Sequence, residues 1–130
     1  MSELRDAVLP PRVILLEDDP LVRFGQEVLL RDWGYRVIAA CSREAVLAAI
    51  QDAPDDIAAI VADFHLGGDD NGAAIAQAIA AAVHRPIPTI IMSASLGQRQ
   101  ESTARDHGFE CFSKPVDPEQ LRSWLSAAID

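Results

Sequence analysis

IAAIVADFHLGGDDNG, residues 57–72, decides how the rest of the chain is read. An apolar run from Ile57 to Ala62 stops at Asp63, and a loop rich in glycine and aspartate follows at once. A carboxylate at the carboxyl end of a buried strand costs desolvation energy unless it has a partner. In open α/β sheets that end is also where ligands bind. The fold therefore turns on whether other strands deliver polar groups to the same edge.

Three others do. VILLEDDP (13–20) is an apolar run ending in Glu17, Asp18 and Asp19, and PTIIMSAS (88–95) ends in the hydroxyls Ser93 and Ser95. FECFSKP (109–115) ends in Lys114 and Pro115. Lys114 is the only lysine; the ten other basic residues are arginine. Four strand-like segments thus bring carboxylates, a hydroxyl and one ammonium to their carboxyl ends.

The intervening segments read as helices. Asp19 is an N-cap with Pro20 at the first helical position. Leu21, Phe24, Val28 and Trp33 keep the spacing of one helical face, and Gly34 supplies the stop. Tyr35–Ala40 is a second strand. Ser42 caps a helix reaching about Asp52, with Ala45, Leu47, Ala48 and Ile50 as its apolar part. An alanine-rich helix over Ala73–His84 carries the stripe Ile75, Ile79, Val83. Pro86 and Pro88 end it and open the strand Thr89–Ser93. Residues 97–107 hold a single apolar residue, Ala104, so a helix there gains little from packing. Asp117, with Gln120 at the capping-box position, starts a last helix whose apolar face is Leu121, Trp124, Leu125, Ala128 and Ile129. Arg12–Glu17 is continuously apolar before its acid, as suits a strand buried on both faces of a parallel sheet. Five strands alternating with five helices predict an α/β fold of parallel βαβ units with right-handed crossovers.

A chain of 130 residues suits one domain. Its net charge of −9 argues against a nucleic-acid binder, which needs a basic patch. Cys41 and Cys111 stand far apart with neither disulfide-framework nor zinc-site spacing, which fits a reduced, cytoplasmic compartment. No apolar run approaches the roughly 18–20 residues of a membrane span. Residues 1–11 lack the apolar core of a signal peptide and read as a short leader ending at Pro10-Pro11, with the domain proper over 12–130.

Three carboxylates converging at one edge, Glu17, Asp18 and Asp63, would repel, and a hard oxygen-seeking cation would relieve them. Mg²⁺ is the natural candidate, since it takes a few carboxylates and keeps several waters. Aspartate is an established nucleophile that forms acyl phosphates. Lys114 and the Ser93 hydroxyl could each hold a phosphoryl oxygen. Each group alone has a plainer reading: Asp63 as a turn cap, the acidic run as the first turn of a helix, Ser93 bonded to backbone, Lys114 solvated.

The ordered set of acidic pair, central Asp, Ser-Ala and Lys-Pro resembles the receiver domain of two-component response regulators, from about Arg12 to the end. The resemblance implies a doubly wound, flavodoxin-like sheet of five parallel strands in the order 2-1-3-4-5. It implies phosphorylation on Asp63 by a sensor histidine kinase or a histidine phosphotransfer protein, with Mg²⁺ held by Asp18, Asp63, the neighbouring Glu17 and the backbone carbonyl of His65. Ser93 matches the switch hydroxyl, Ala94 the small residue beside the phosphoryl pocket, and Lys114 the motif's lysine, with a bond to Pro115 that is usually cis. The side chains of His65 and Ser95 match positions that tune dephosphorylation. The resemblance implies a signalling domain, not an enzyme, though one that assists its own phosphorylation and dephosphorylation. The downstream protein is unnamed and a homodimer is left open; nucleic acid and membrane are not expected as partners. The end of the chain with the last helix suggests a free-standing receiver or a piece of a larger protein.

Two features depart from the family pattern. Gly67 stands where a proline is common, four past the acceptor, and the glycine expected eight past it comes one later, at Gly72. Cys111 occupies the usual place of an aromatic switch residue, and Phe112 follows it. Other functions remain to be weighed. An aspartyl-phosphate phosphatase of the haloacid-dehalogenase type wants a different acidic motif after the first strand. A flavin-binding module wants a hydroxyl- and glycine-rich loop there. A receiver that signals without phosphorylation has no need of the complete set.

Overall fold

The elements run in the order β1 (Arg12–Leu16), α1 (Pro20–Asp32), β2 (Arg36–Ala40), α2 (Arg43–Ile50), β3 (Ile57–Asp63), α3 (Gly72–Val83), β4 (Thr89–Ser93), β5 (Glu110–Ser113) and α4 (Pro118–Ile129). A short 3-10 turn over Pro54–Asp56 leads into β3. This computed structural model describes residues 9–52, 54–67, 70–94, 105–106 and 108–129. All five strands are parallel and lie in the order β2-β1-β3-β4-β5, so the chain reverses direction across the sheet between β1 and β3. The α/β architecture and strand order are those the family resemblance implies.

The period-two alternation of the strands sorts the core into two layers. Ile14, Leu16, Ile60, Ala62 and Ile91 face α2 and α3, packing on Val46, Ile50, Ile75 and Ile79. Val13, Leu15, Val61, Ile90 and Met92 face α1 and α4, packing on Leu30, Leu121 and Leu125. This explains why the strands read as unbroken apolar runs: both faces are covered. The helices begin where the sequence places their caps. Asp19 Oδ1 accepts from the N–H groups of Leu21 and Val22, Ser42 Oγ from Ala45, and Asp117 Oδ1 from Glu119. Asn71, not singled out in the sequence, caps α3 by accepting from Ala74 N–H. Gly34 closes α1 at φ +99°, which a side chain would disfavour.

Two helical faces differ from their sequence reading. On α1, Leu21, Phe24 and Val28 are 76%, 69% and 50% exposed, and the buried residue is Leu30, with Trp33 packed beside it. Two apolar stripes on this helix satisfy helical spacing. Contact with Val13 and Leu15 selects the one through Leu30 and Trp33. On α2 the buried pair is Val46 and Ile50, with Leu47 packed against the core, while Ala45 and Ala48 are exposed.

Of the weakly patterned 97–107 segment only Arg105 and Asp106 are described, both helical; the rest of that expected helix lies outside the described residues. Residues 1–8 of the leader also lie outside them. The leader's end is tied to β2, because the carbonyls of Pro10 and Pro11 accept from Arg36 Nε at 2.8 Å and Arg36 N–H at 2.9 Å. Among the described residues no helix is long and apolar enough to cross a membrane.

Candidate functional site

β1 and β3 are neighbours in register, Leu16 beside Ala62, so the residues that follow, Glu17 and Asp63, emerge side by side. Both are buried, at 1% and 7% exposure, whereas Asp18 next along is exposed. Carboxylate oxygens of Glu17, Asp18 and Asp63 all lie within 4.8 Å of one another. The sheet-order reversal creates this crevice, since β2 and β3 leave β1 on opposite sides.

Lys114, delivered by the end of β5, spans the cluster. Its Nζ donates to Asp63 Oδ2 at 2.8 Å and to Glu17 Oε1 at 3.0 Å. Burial pushes the lysine's pKa down, but its hydrogen bonds to Asp63 and Glu17, with their charges, outweigh that and hold the pKa above the usual 10.5. The main chain fixes the lysine's approach: Lys114 N–H donates to Ser93 carbonyl at 2.8 Å, and the Lys114–Pro115 bond is cis.

Ser93 ends β4 fully buried, one residue beyond Met92, which pairs with Asp63. Ala94 is exposed and lines a cavity of about 510 Å³ with Val22, Leu29, Lys114, Pro115 and Val116. The structure therefore brings Glu17, Asp18, Asp63 and Lys114 into direct contact or within a few ångströms, with Ser93 and Ala94 on the adjoining strand end. Ser95 lies outside the described residues.

The loop after Asp63 folds back on itself. His65 and Asn71 form an antiparallel bridge, and Gly72 N–H donates to Phe64 carbonyl at 2.9 Å. Gly72 is there by necessity: a Cβ on it would overlap the Asp63 carbonyl oxygen. The displaced glycine of the family pattern is thus the residue that lets α3 start against the end of β3. Gly67, at φ +80°, brings the loop toward Asp18; a Cβ there would sit 3.7 Å from Asp18 Oδ2. His65 is exposed, and its ring meets Phe64 edge-on at 5.1 Å. On β5, Cys111 is half-buried on the α2–α3 side, while Phe112 packs on the α1–α4 side.

One pair escaped the sequence reading. Arg43, the first residue of α2, grips Asp70 with both arms of its guanidinium, Nε to Oδ2 at 2.9 Å and Nη2 to Oδ1 at 2.7 Å. Arg43 holds the Asp70 carboxyl below its usual range, and Asp70 raises the arginine in turn. Nothing in their separation along the chain signals the pairing; only the loop's departure from the family pattern marks the region.

Chemically, the donors at the cluster are all carboxylate oxygens, two buried and one open to water. Such a set suits a hard divalent ion that keeps part of its water shell, as Mg²⁺ does. Lys114 already meets two of the three carboxylates, so the folded chain is not left with three uncompensated charges.

Comparisons with known proteins bear on the family and the fold. Residues 13–126 match the model of the response regulator receiver domain family. The chain is 30% identical over 112 residues to the two-component response regulator PprB of Pseudomonas aeruginosa, covering 84% of this chain and 40% of that protein. It thus spans well under half the length of this relative. Among solved structures, a response regulator receiver domain from Clostridium thermocellum superposes with a TM-score of 0.81 at 20% identity, covering 92% of this chain and 94% of the other. The chemotaxis protein CheY4 of Vibrio cholerae gives 0.79 at 21% identity, covering 92% and 98%. The non-phosphorylated receiver domain of HemR from Leptospira biflexa gives 0.78 at 24% identity, covering 92% and 94%.

Proposed function

Since this chain belongs to the response regulator receiver domain family, we propose that it accepts a phosphoryl group on Asp63 from a phosphohistidine partner and signals through Ser93 and Lys114. The observation that carries this reading is the single lysine, Lys114, bridging Asp63 and Glu17 beside Asp18. Receiver domains generally bind Mg²⁺ in an acidic pocket. Asp18, Asp63, Glu17 and the His65 carbonyl would hold it here. When bound, the ion neutralises charge on the phosphoryl oxygens. An Asp63 carboxylate oxygen forms the new bond to phosphorus. The bond from phosphorus to the donor's imidazole nitrogen breaks, and its electron pair stays on that nitrogen. Lys114 leaves one carboxylate contact to hold a phosphoryl oxygen as a point charge. Ser93 donates its hydroxyl to another, and Ala94 leaves room for the group.

A protein phosphodonor, a sensor histidine kinase or phosphotransfer protein, is supported by the surface beside the pocket. Leu21, Val22, Phe24 and Val28 of α1 are exposed apolar side chains, and Val22 lines the cavity that also holds Ala94 and Lys114. Such a patch on a domain of this size suits transient protein contact. A cytoplasmic location is in keeping with the two free cysteines.

The test is incubation with Mg²⁺ and acetyl phosphate, read by intact mass. Wild type should gain one phosphoryl group and Asp63→Asn none. A phosphorylated Asp63→Asn, or no adduct on wild type with steady turnover of a phosphate monoester, would overturn the assignment; the second result favours a phosphatase.

A further inference from the structure

We infer that Arg43 and Asp70 form a latch that fixes the loop following the acceptor and so sets the affinity of the acidic site for its divalent cation; this rests on the Mg²⁺ reading above. Both residues lie outside the carboxylate cluster, and Arg43 is a positioning residue, not a ligand.

The chain of contacts is short. Arg43 is anchored on α2, where Ser42 caps the helix and Val46 enters the core. Its fork holds Asp70 at two points, 2.9 and 2.7 Å. Asp70 Oδ1 also accepts the N–H of Asn71 at 3.0 Å. Asn71 bridges to His65 and caps α3, and Gly72 ties back to Phe64. Asp63 and His65, two of the proposed oxygen donors, therefore lie on the outgoing arm of a turn whose return residues, Asp70 and Asn71, are held from outside by Arg43. Gly67 turns at φ +80°, and a Cβ on Gly72 would meet the Asp63 carbonyl, so the return residues must keep close to β3, and Arg43 holds them there from α2. The pair is partly exposed, about a third on each side, and pairs of that kind contribute little to global stability. A planar two-point fork still fixes direction, which a lysine at the same place would not do.

The sign of the effect separates a latch from plain electrostatics. Arg43 is a cation near an acidic site, so deleting it should, by Coulomb's law alone, tighten a divalent cation. Loss of the latch should weaken it. Mg²⁺ affinity is measured by calorimetric titration at fixed ionic strength for wild type, Arg43→Ala, Arg43→Lys, Asp70→Asn and the double variant Arg43→Ala/Asp70→Asn, alongside melting curves in EDTA. Arg43→Ala should raise the Mg²⁺ dissociation constant by at least about three-fold, short of the roughly 10–100-fold that follows loss of a group bonded directly to a ligand. Arg43→Lys should fall between it and wild type. The double variant should be no weaker than the weaker single one, since both break one contact. An unchanged or tighter constant for Arg43→Ala, with or without a lower melting temperature, overturns the latch while leaving the Mg²⁺ reading intact. Wild type that binds no Mg²⁺ overturns both.

Discussion

Replacing Asp63 should make the metal-free protein more stable. Asp63 is 7% exposed and interacts with three charges at close range. At an effective dielectric of about 20, a like charge at the cluster's outer limit of 4.8 Å costs roughly 3.5 kcal/mol. Glu17 is buried and counts in full; Asp18 is exposed and counts for about half after screening. Together they cost roughly 5 kcal/mol. Lys114, 2.8 Å away, returns roughly 6 kcal/mol on the same scale. The charge interactions of Asp63 nearly cancel, which leaves the desolvation of its carboxylate, several kcal/mol per buried ion, to decide. An amide in place of the carboxylate would remove that cost, keep the shape and still offer an oxygen to Lys114, which retains Glu17. The expected net gain for Asp63→Asn is about 1–3 kcal/mol, since part of the desolvation relief is lost with the charge-assisted hydrogen bond. For a domain of this length that is about 4 °C in melting temperature per kcal/mol. The assay is urea and thermal unfolding of both proteins in EDTA, repeated with Mg²⁺ at ten times its dissociation constant. Wild type should then gain about 1.4 kcal/mol by mass action and Asp63→Asn less. A variant less stable than wild type in EDTA would show that the Lys114 pair outweighs desolvation, and the reasoning would fail.

Lys114 gives a pH test. Its pKa is raised in the folded chain above 10.5, so its contribution is complete below pH 10.5 and is lost as pH climbs through the folded value. Urea midpoints measured from about pH 9.5 to 11.5 should fall more steeply for wild type than for Lys114→Gln; parallel curves would refute it. Gly72→Ala should destabilise by more than about 2 kcal/mol, because the new Cβ overlaps the Asp63 carbonyl oxygen, and a normal melting temperature would disprove that close approach. Phe24→Ser should change stability by less than about 0.5 kcal/mol, whereas Leu30→Ala should cost about 2–5 kcal/mol. The reverse ranking would restore the Leu21–Phe24–Val28 face to the core.

The strands and the grouping of Glu17, Asp18, Asp63 and Lys114 were legible because a doubly wound parallel sheet is read from its own punctuation. A run such as Ile57–Ala62 is buried on both faces wherever it lies, and all strands point the same way, so each terminal polar group reaches one edge. Helix caps were legible for the same local reason: Asp19, Ser42 and Asp117 bond to amides two or three residues on. Which side of α1 meets the sheet was not local. Leu21, Phe24 and Val28 obey helical spacing as well as Leu30 and Trp33 do, and only the position of β1 chooses. The Arg43–Asp70 pair is further removed still, because its partners meet only after α2 and α3 have been laid on one face.

The aromatic position shows how sheet geometry limits substitution. Phe112 follows Cys111, and it would be natural to let the ring serve one residue late. Neighbours on a strand project to opposite faces, and here Cys111 joins the α2–α3 layer while Phe112 joins the α1–α4 layer. Phe112 therefore cannot turn into the space an aromatic at 111 would use without dragging β5 out of register with β4, where Met92 pairs with Phe112 and Ser93 with Ser113. On the proposed reading, a signal leaving Asp63 would pass instead through groups already in contact. Lys114 is such a group: its side chain touches Asp63 and Glu17, and its N–H is bonded to Ser93 carbonyl. A phosphoryl group that drew Nζ away from Glu17 would pull on that main-chain bond, and so on the ends of β4 and β5 together, with no ring rotation required.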